Sequence, residues 1–185
     1  ETAQKMVDEA AKTAMPHSKI INEDGTLKKV YHGSPNTFNV FDFKRLGNTG
    51  HQEGYGFYFS DTEKITKHYG ESRAFYLDMQ KPMYGDKLTI TKRELMKFIK
   101  ALDPDGNGVI SGYEDAQTVG YTTALRRTVD AIFEYNDNDQ DVIFEIANAD
   151  GSNYEADTFI EFTKTLKDVL GYDGLVSKWP AGDVY

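Results

Sequence analysis

The spacing of apolar and polar positions separates strand-like segments at both ends of the chain from a helical middle. Residues 1–14 are Ala-rich and favour a helix. "LKKVYHGS" favours a short strand, and the aromatic run "GYGFYFSD", 54–61, suits a second one. "DTEKITKHYG", 61–70, predicts a helix with Asp61 as its N-cap. A third strand is predicted in "RAFYLDMQ", and it should end before the proline of "KPMYGD".

The middle of the chain carries the spacing of amphipathic helices. "TKRELMKFIKAL", 91–102, places its apolar side chains on one side of a helix. Helices are also predicted over 115–135 and 155–170, whereas 142–149 fits either a helix or a strand. "GYDGLVSK" and "GDVY" favour two closing strands. This order predicts an α+β fold: one domain over 1–185 with a mostly helical insertion at about 87–170.

Composition narrows the classes of function. Of the 185 residues, 39% are hydrophobic and 13% aromatic, which predicts a folded core. The chain has no cysteine, so disulfides and thiolate metal sites are excluded and a reducing compartment such as the cytoplasm is expected. The formal net charge of −9 disfavours nucleic acid and anionic membranes as partners. No apolar run approaches the roughly 20 residues that span a bilayer.

"DPDGNGVISGYE", 103–114, has the oxygen-bearing side chains of an EF-hand-like calcium loop at their proper spacing, with a glycine at the sixth position. No second loop of this kind occurs, although calcium-sensing loops usually come in pairs. A solvated turn between two helices is the alternative. If calcium binds, the predicted ligands are Asp103, Asp105, Asn107, the Val109 carbonyl, Ser111 and Glu114.

Three further segments suggest a site for a flat, polar ring. A glycine after a strand leaves its peptide groups approachable. Tyrosine faces can enclose an aromatic ring, and short hydroxyls and a histidine can bind its polar groups. The ordinary alternative is an aromatic strand that belongs to the core and a His-Gly turn. The candidate residues are His32, Gly33, Ser34, Tyr58, Thr66 and Tyr69.

The same segments resemble the ADP-ribosyltransferase fold of the poly(ADP-ribose) polymerase and diphtheria-toxin branch, which is marked by a His–Tyr–Glu set. "YHGS" resembles its first motif, and "GYGFYFSDTEKITKHY" resembles its second. The opening "MPHSKIINEDGTLKKVYHGSPNTFNVFDF" is most similar to the ADP-ribosyltransferase domains of phage and mobile-element polyvalent proteins. The resemblance covers roughly 15–84 and 170–185 and implies a split β-sheet core.

The resemblance also implies NAD as the substrate and assigns a role to each candidate residue. The reaction would pass through an oxocarbenium-like ribose as nicotinamide leaves, in an oriented pocket with a nearby carboxylate. By the resemblance, His32 holds the nicotinamide ribose, Gly33 holds the carboxamide with Thr66, Tyr58 and Tyr69 stack on nicotinamide, and Ser34 reaches the adenosine-side ribose.

The third member of the set, the glutamate, has no direct match. "GDVY" aligns Val184 with it, and Asp183 comes one residue earlier, where a regular strand would turn it to the opposite face. We take Asp183 as the catalytic candidate, on the condition that the register turns it inward. Glu53, Asp61 and an acid beyond Tyr185 are the alternatives.

The function implied is an NAD-dependent ADP-ribosyltransferase that modifies a protein or another macromolecule. Without the glutamate, mono-ADP-ribosylation or NAD glycohydrolysis is expected rather than chain building. The expected setting is the cytoplasm, with delivery into a host or target cell as part of a larger, toxin-like protein. The alternatives are a catalytically weak or inactive NAD or ADP-ribose binding module, a calcium-binding interaction domain, and a nucleic-acid-modifying member of the same fold.

Overall fold

A computed structural model describes residues 2–42, 56–84, 90–135, 156–179 and 182–185. The predicted segment 142–149 lies outside them. The helices are α1 (Thr2–Ala14), α2 (Glu63–Thr66), α3 (Lys92–Leu102), α4 (Ala116–Val119), α5 (Tyr121–Tyr135) and α6 (Ala156–Leu170). The strands are β1 (Val30–Ser34), β2 (Glu71–Phe75), β3 (Pro82–Tyr84), β4 (Gly174–Trp179) and β5 (Gly182–Val184). The mixture of helix and strand agrees with the predicted α+β class.

The chain forms two compact units. The first, here called the strand unit, comprises Glu1–Phe43, Phe57–Met83 and Asp173–Tyr185. The second, the helical unit, comprises Lys44–Gly56 and Tyr84–Tyr172. The long helices expected in the middle of the chain, α3, α5 and α6, all belong to the helical unit.

Two sheets make up the strand unit. β1 pairs with β2 in antiparallel register, with Val30 opposite Phe75 and Ser34 opposite Glu71. The second sheet has the order β3-β4-β5, and β4 and β5 are antiparallel. A hairpin turn before β1 lets the backbone N–H of Lys28 donate to the Ile20 carbonyl at 2.9 Å.

An extended segment, residues 59–61, lies between β1 and β5 and joins the two sheets. Tyr31 and Ser60 exchange two backbone hydrogen bonds of 2.7 and 2.9 Å. On the other side, Phe59 and Tyr185 exchange two of 2.9 and 2.8 Å. Ser60 also forms an antiparallel bridge with Val184. Within the described part of the predicted strand, residues 56–61, this short segment is the part that pairs with its neighbours.

Two predicted elements have different bounds in the structure. The third predicted strand does end before Pro82, but already at Phe75, and Pro82 begins β3, where a missing N–H is tolerated. The helix expected from Asp61 begins at Glu63, and its N-cap residue is Thr62, which makes no side-chain capping bond. The Asp61 carboxylate binds elsewhere, as described below.

α3 shows how sequence determines the helical unit. Thr91 and Glu94 form a reciprocal capping box at its start, which satisfies two backbone donors. Leu95, Phe98 and Ile99 are completely buried, and each such side chain stabilises the fold by about 1.5–3 kcal/mol relative to exposure. The Phe98 ring meets that of Phe162 on α6 edge to face at 5.2 Å.

The helix predicted over 115–135 is interrupted. Gly120 adopts a positive φ of 82°, which separates α4 from α5. None of the helices in the described part of the chain is long and apolar enough to cross a membrane.

We predict that a hydrogen bond between α1 and the rest of the strand unit is lost at high pH. The Tyr76 hydroxyl donates to Asp8 Oδ1 at 2.5 Å, and burial together with this bond raises the pKa of Tyr76 to about 12. An unfolded tyrosine titrates at about 10. The contribution to stability is therefore intact below about pH 10 and is lost as the pH rises through about 12.

Tyrosinate absorbance during an alkaline titration measures this directly. The difference between wild type and Tyr76→Phe should show one tyrosine titrating near 12, and Asp8→Asn should lower that value. A difference centred on the ordinary tyrosine pKa of about 10 would contradict the prediction.

Candidate functional site

His32 lies in the middle of β1, where backbone pairing fixes its position. Its Nδ1 is 2.7 Å from the carbonyl oxygen of Tyr58. A carbonyl only accepts hydrogen bonds, so Nδ1 carries the proton and Nε2 of the neutral ring is an acceptor. In this tautomer Nε2 of His32 can accept a hydrogen bond.

Aromatic rings surround His32 and fix its orientation. Arg73, opposite His32 on β2, places its guanidinium 4.2 Å from the centre of the Phe38 ring and donates from Nη1 to the Phe38 carbonyl at 2.6 Å. Arg73 was not predicted as part of this region, because its proximity to His32 depends on strand register. The rings within 6.4 Å of the His32 ring are those of Phe38, Phe41, Phe59 and Phe75.

Gly33 is required by packing. A Cβ at this position would lie 1.8 Å from the carbonyl oxygen of Thr66 and 3.2 Å from Cβ of Tyr69. The close approach of α2 therefore depends on the missing side chain. The peptide groups of Gly33 point to the same edge of β1 as those of Tyr31, toward the Tyr58 segment. The sequence predicted approachable peptide groups at Gly33, and the structure adds the close packing against Thr66.

The other predicted ring-binding residues lie around Gly33. Thr66 is buried, and its hydroxyl oxygen lies 2.9 Å from the Glu63 carbonyl and 2.6 Å from the Ser72 hydroxyl, so its hydrogen bonds serve the fold. Tyr69 is 55% exposed beside Gly33 and presents ring surface. The Ser34 hydroxyl accepts a bond from the Asn36 N–H at 3.1 Å and retains its own proton.

The register of the joined sheets turns Asp183 toward the face that carries His32. Ser60 lies opposite both Tyr31 and Val184, so these three side chains share one face. Asp183 and His32 each lie one residue from that row and project from the other face. They are two strand intervals apart across the sheet and two residues apart along it, so about 12 Å separates their backbone positions. Asp183, and not Val184, therefore lies on the face that carries His32, and its catalytic role stays a prediction.

The Asp183 carboxylate belongs to a polar cluster with Asp61, Lys28 and Tyr185. Lys28 Nζ is 3.6 Å from Asp61 Oδ2 and 4.0 Å from Asp183 Oδ2. The Tyr185 hydroxyl donates to Asp183 Oδ2 at 3.5 Å, and Lys28 Nζ lies 5.9 Å from the Tyr185 ring centre. Each of the three charged side chains is about one quarter exposed, so their interactions are partly screened by solvent.

The loop at 103–114 is organised by peptide donors. Asp103 is 4% exposed; Oδ1 accepts from the Gly108 N–H at 3.0 Å, and Oδ2 accepts from the Ile110 N–H at 2.8 Å. Glu114 pairs with Arg127 at 3.3 Å.

No group of three or more acids or histidines able to hold a metal occurs among the described residues. The calcium prediction, with its ligands Asp103, Asp105, Asn107, Val109, Ser111 and Glu114, therefore receives no support. In the structure the Asp103 carboxylate holds the loop together through the peptide N–H groups of Gly108 and Ile110. Gly54 and Tyr55 of the second motif, and the alternative acid Glu53, lie outside the part of the chain described.

We predict that Gly33→Ala destabilises the strand unit. Its methyl group would overlap the Thr66 carbonyl, and overpacking of this kind costs about 1–3 kcal/mol. Gly56→Ala is the matched control, because nothing lies within 4 Å of its added Cβ. Urea unfolding should show a clear loss for the first variant only. Equal stabilities would show that α2 moves away without cost.

We predict that Asp103→Ala lowers the free energy of unfolding by about 2–4 kcal/mol, because the buried Ile110 N–H and the partly buried Gly108 N–H lose a charged acceptor. Asp105→Ala, at an exposed position of the same loop, should change it by less than about 0.5 kcal/mol. Millimolar calcium should leave the melting temperature unchanged. Stabilisation by calcium that Glu114→Ala abolishes would restore the metal site.

Comparison with known proteins gives one match. A protein-family model described as ADP-ribosyltransferase in polyvalent proteins matches residues 22–179. No curated protein and no solved structure matches the chain. The matched span runs from the hairpin before β1 to the end of β4 and includes residues 84–172, most of which the sequence resemblance did not cover. The chain belongs to the ADP-ribosyltransferase family of polyvalent proteins.

Proposed function

We propose that this domain binds NAD, cleaves the bond between nicotinamide and ribose, and transfers ADP-ribose to a single site on a macromolecular acceptor, a protein in the first instance. Family membership supports ADP-ribosylation in general. The observation that best supports an active site is the register through Ser60, which puts His32 and Asp183 on one face of the joined sheets. The joined β1-β2 and β3-β4-β5 sheets are our candidate for the split sheet of this fold.

The proposed binding pose uses the two edges next to Gly33. The nicotinamide carboxamide bonds to the peptide N–H and C=O of Gly33, and the ring stacks on Tyr69, which is exposed beside Gly33. Tyr58 is proposed for the second face of the ring. The ribose lies beside His32, whose Nε2 accepts a hydroxyl proton. The Ser34 hydroxyl donates to the adenosine-side ribose. Thr66 contributes through its backbone and its packing, since its hydroxyl is already bonded.

The chemistry is a substitution at the anomeric carbon of the nicotinamide ribose. The bond from this carbon to the nicotinamide nitrogen breaks, and its electron pair leaves with nicotinamide, which becomes neutral. The ribose carries positive charge as the bond lengthens, and the Asp183 carboxylate stabilises it. The acceptor nucleophile then bonds to the same carbon and releases its proton to Asp183. With water in place of the acceptor, the same steps give NAD glycohydrolysis.

A binding-only domain is the second candidate, because the Asp183 carboxylate already has partners. Lys28 and Tyr185 both lie within 4.0 Å of Asp183 Oδ2. A carboxylate that is neutralised by lysine stabilises a developing cation less well. NAD binding without turnover would favour this candidate, and the assay below separates the two.

We predict that the domain releases nicotinamide from NAD and that three substitutions suppress the release. Asp183→Asn should lower kcat about 100-fold or more with little change in KM, because its charge acts on the transition state. His32→Ala and Tyr69→Ala should lower kcat/KM about 10- to 100-fold through weaker positioning. Chromatographic quantification of nicotinamide against time measures both parameters.

His68→Ala is the matched control for these variants. It lies beside Tyr69 on the same short helical turn, is exposed, and has no role in the proposed pose. Its kcat/KM should equal that of wild type. Full activity of Asp183→Asn would remove Asp183 from the mechanism. NAD binding detected by calorimetry, with no nicotinamide produced by wild type, would leave the binding module as the function.

A further inference from the structure

Asp61 stands where an N-cap residue is expected, yet its side chain serves another element. α2 begins two residues later, and Thr62 is its N-cap residue. Oδ1 of Asp61 accepts a hydrogen bond from the backbone N–H of Asp183 at 2.9 Å, across 122 positions of sequence. The backbone N–H of Asp61 donates in return to the Asp183 carbonyl at 3.2 Å. The side chain of Asp61 therefore binds the N–H of Asp183, and the backbone of Asp61 binds its carbonyl.

The surrounding residues are shaped for this contact. Gly182 adopts a φ of 143°, and a Cβ there would lie 2.8 Å from Asp61 Oδ1 and 2.3 Å from the Thr62 hydroxyl oxygen. Any side chain at 182 would thus displace the carboxylate. The Thr62 hydroxyl also donates to Asp61 Oδ1 at 3.2 Å, and Lys28 Nζ lies 3.6 Å from Oδ2. Both oxygens of Asp61 are fixed in place.

The other end of the same short segment holds His32. The Tyr58 carbonyl accepts from His32 Nδ1 at 2.7 Å, so four consecutive residues, 58–61, contact His32 at one end and β5 at the other. Because a one-residue slip of β5 would turn Asp183 to the opposite face, the bond from Asp183 N–H to Asp61 opposes the slip that would remove the carboxylate from the His32 face.

We propose that Asp61 is a positioning residue for ADP-ribosyl transfer, which holds Asp183 in the register that faces His32. The proposal rests on the proposed function. Loss of the Asp61 contact should lower kcat rather than the affinity for NAD, because the groups that would bind NAD lie on β1 and beside α2. The effect should depend on the hydrogen-bond acceptor of Asp61 more than on its charge, because the bond that sets the register comes from a peptide N–H.

The test compares two substitutions at Asp61 with a matched control. Asp61→Ala removes the acceptor, whereas Asp61→Asn keeps an oxygen that can accept from the Asp183 N–H. Asp173→Ala is the control, because its carboxylate also binds peptide N–H groups of the same unit but lies outside the proposed machinery. It accepts from the Gln80 N–H at 2.6 Å and the Lys81 N–H at 3.0 Å, just before β3. Steady-state nicotinamide release and amide hydrogen exchange at Asp183 are measured for each.

Asp61→Ala should lower kcat at least 10-fold, leave KM for NAD within about threefold and speed exchange of the Asp183 amide. Asp61→Asn should recover most of kcat. Asp173→Ala should lose stability without a change in kcat at a temperature where it is folded. An active wild type with unchanged kcat in Asp61→Ala, or an equal loss of kcat in Asp173→Ala, would overturn this inference alone. A wild type that releases no nicotinamide would overturn the proposed function and this inference with it.

Discussion

The arrangement of the strand unit depends on a segment that pairs along both of its edges. Residues 59–61 exchange backbone hydrogen bonds with Tyr31 on one side and with Tyr185 on the other. An extended backbone presents its N–H and C=O groups alternately to its two neighbours, so both registers are fixed by the same few peptides. If either pairing shifted by one residue, a different set of side chains would face the same side of the sheet as His32. The relation of His32 to Asp183 is therefore a property of the backbone more than of either side chain.

Close approach of backbones is the second constraint, and it assigns two glycines a structural role. At Gly33 the space of a Cβ is filled by the carbonyl of Thr66, which brings α2 and the exposed Tyr69 against β1. At Gly182 it is filled by Asp61 and Thr62. A glycine in a functional motif is readily attributed to ligand access. Here the close packing of α2 alone explains why residue 33 is a glycine. A ligand that binds at Gly33 would contact its peptide groups, which this packing positions.

The sequence predicted the features that depend on local spacing and missed those that depend on register. The periodicity of residues 91–102 placed α3 correctly, and the strand at "VYHGS" was found from its β-branched and aromatic residues. The motif match identified a family that the comparison confirmed. Pairing across 122 positions leaves no local signal, so the partner of Asp61 could not be foreseen and helix capping was the natural expectation. The loop at Asp103 shows the same limit: its spacing satisfies a metal-binding pattern, but peptide N–H groups occupy both oxygens of its first acid.

The cluster of Lys28, Asp61 and Asp183 combines one cation with two carboxylates, so it carries a net charge of about −1 when all three are ionised. Such a cluster is not complementary to the diphosphate of a dinucleotide, which is itself negative. It is complementary to a sugar that becomes cationic while its leaving group departs. In NAD the positive charge lies on the nicotinamide ring, and it moves to the ribose as the bond between them lengthens, so a carboxylate held beside the ribose would bind that charge more strongly in the proposed transition state than in the substrate.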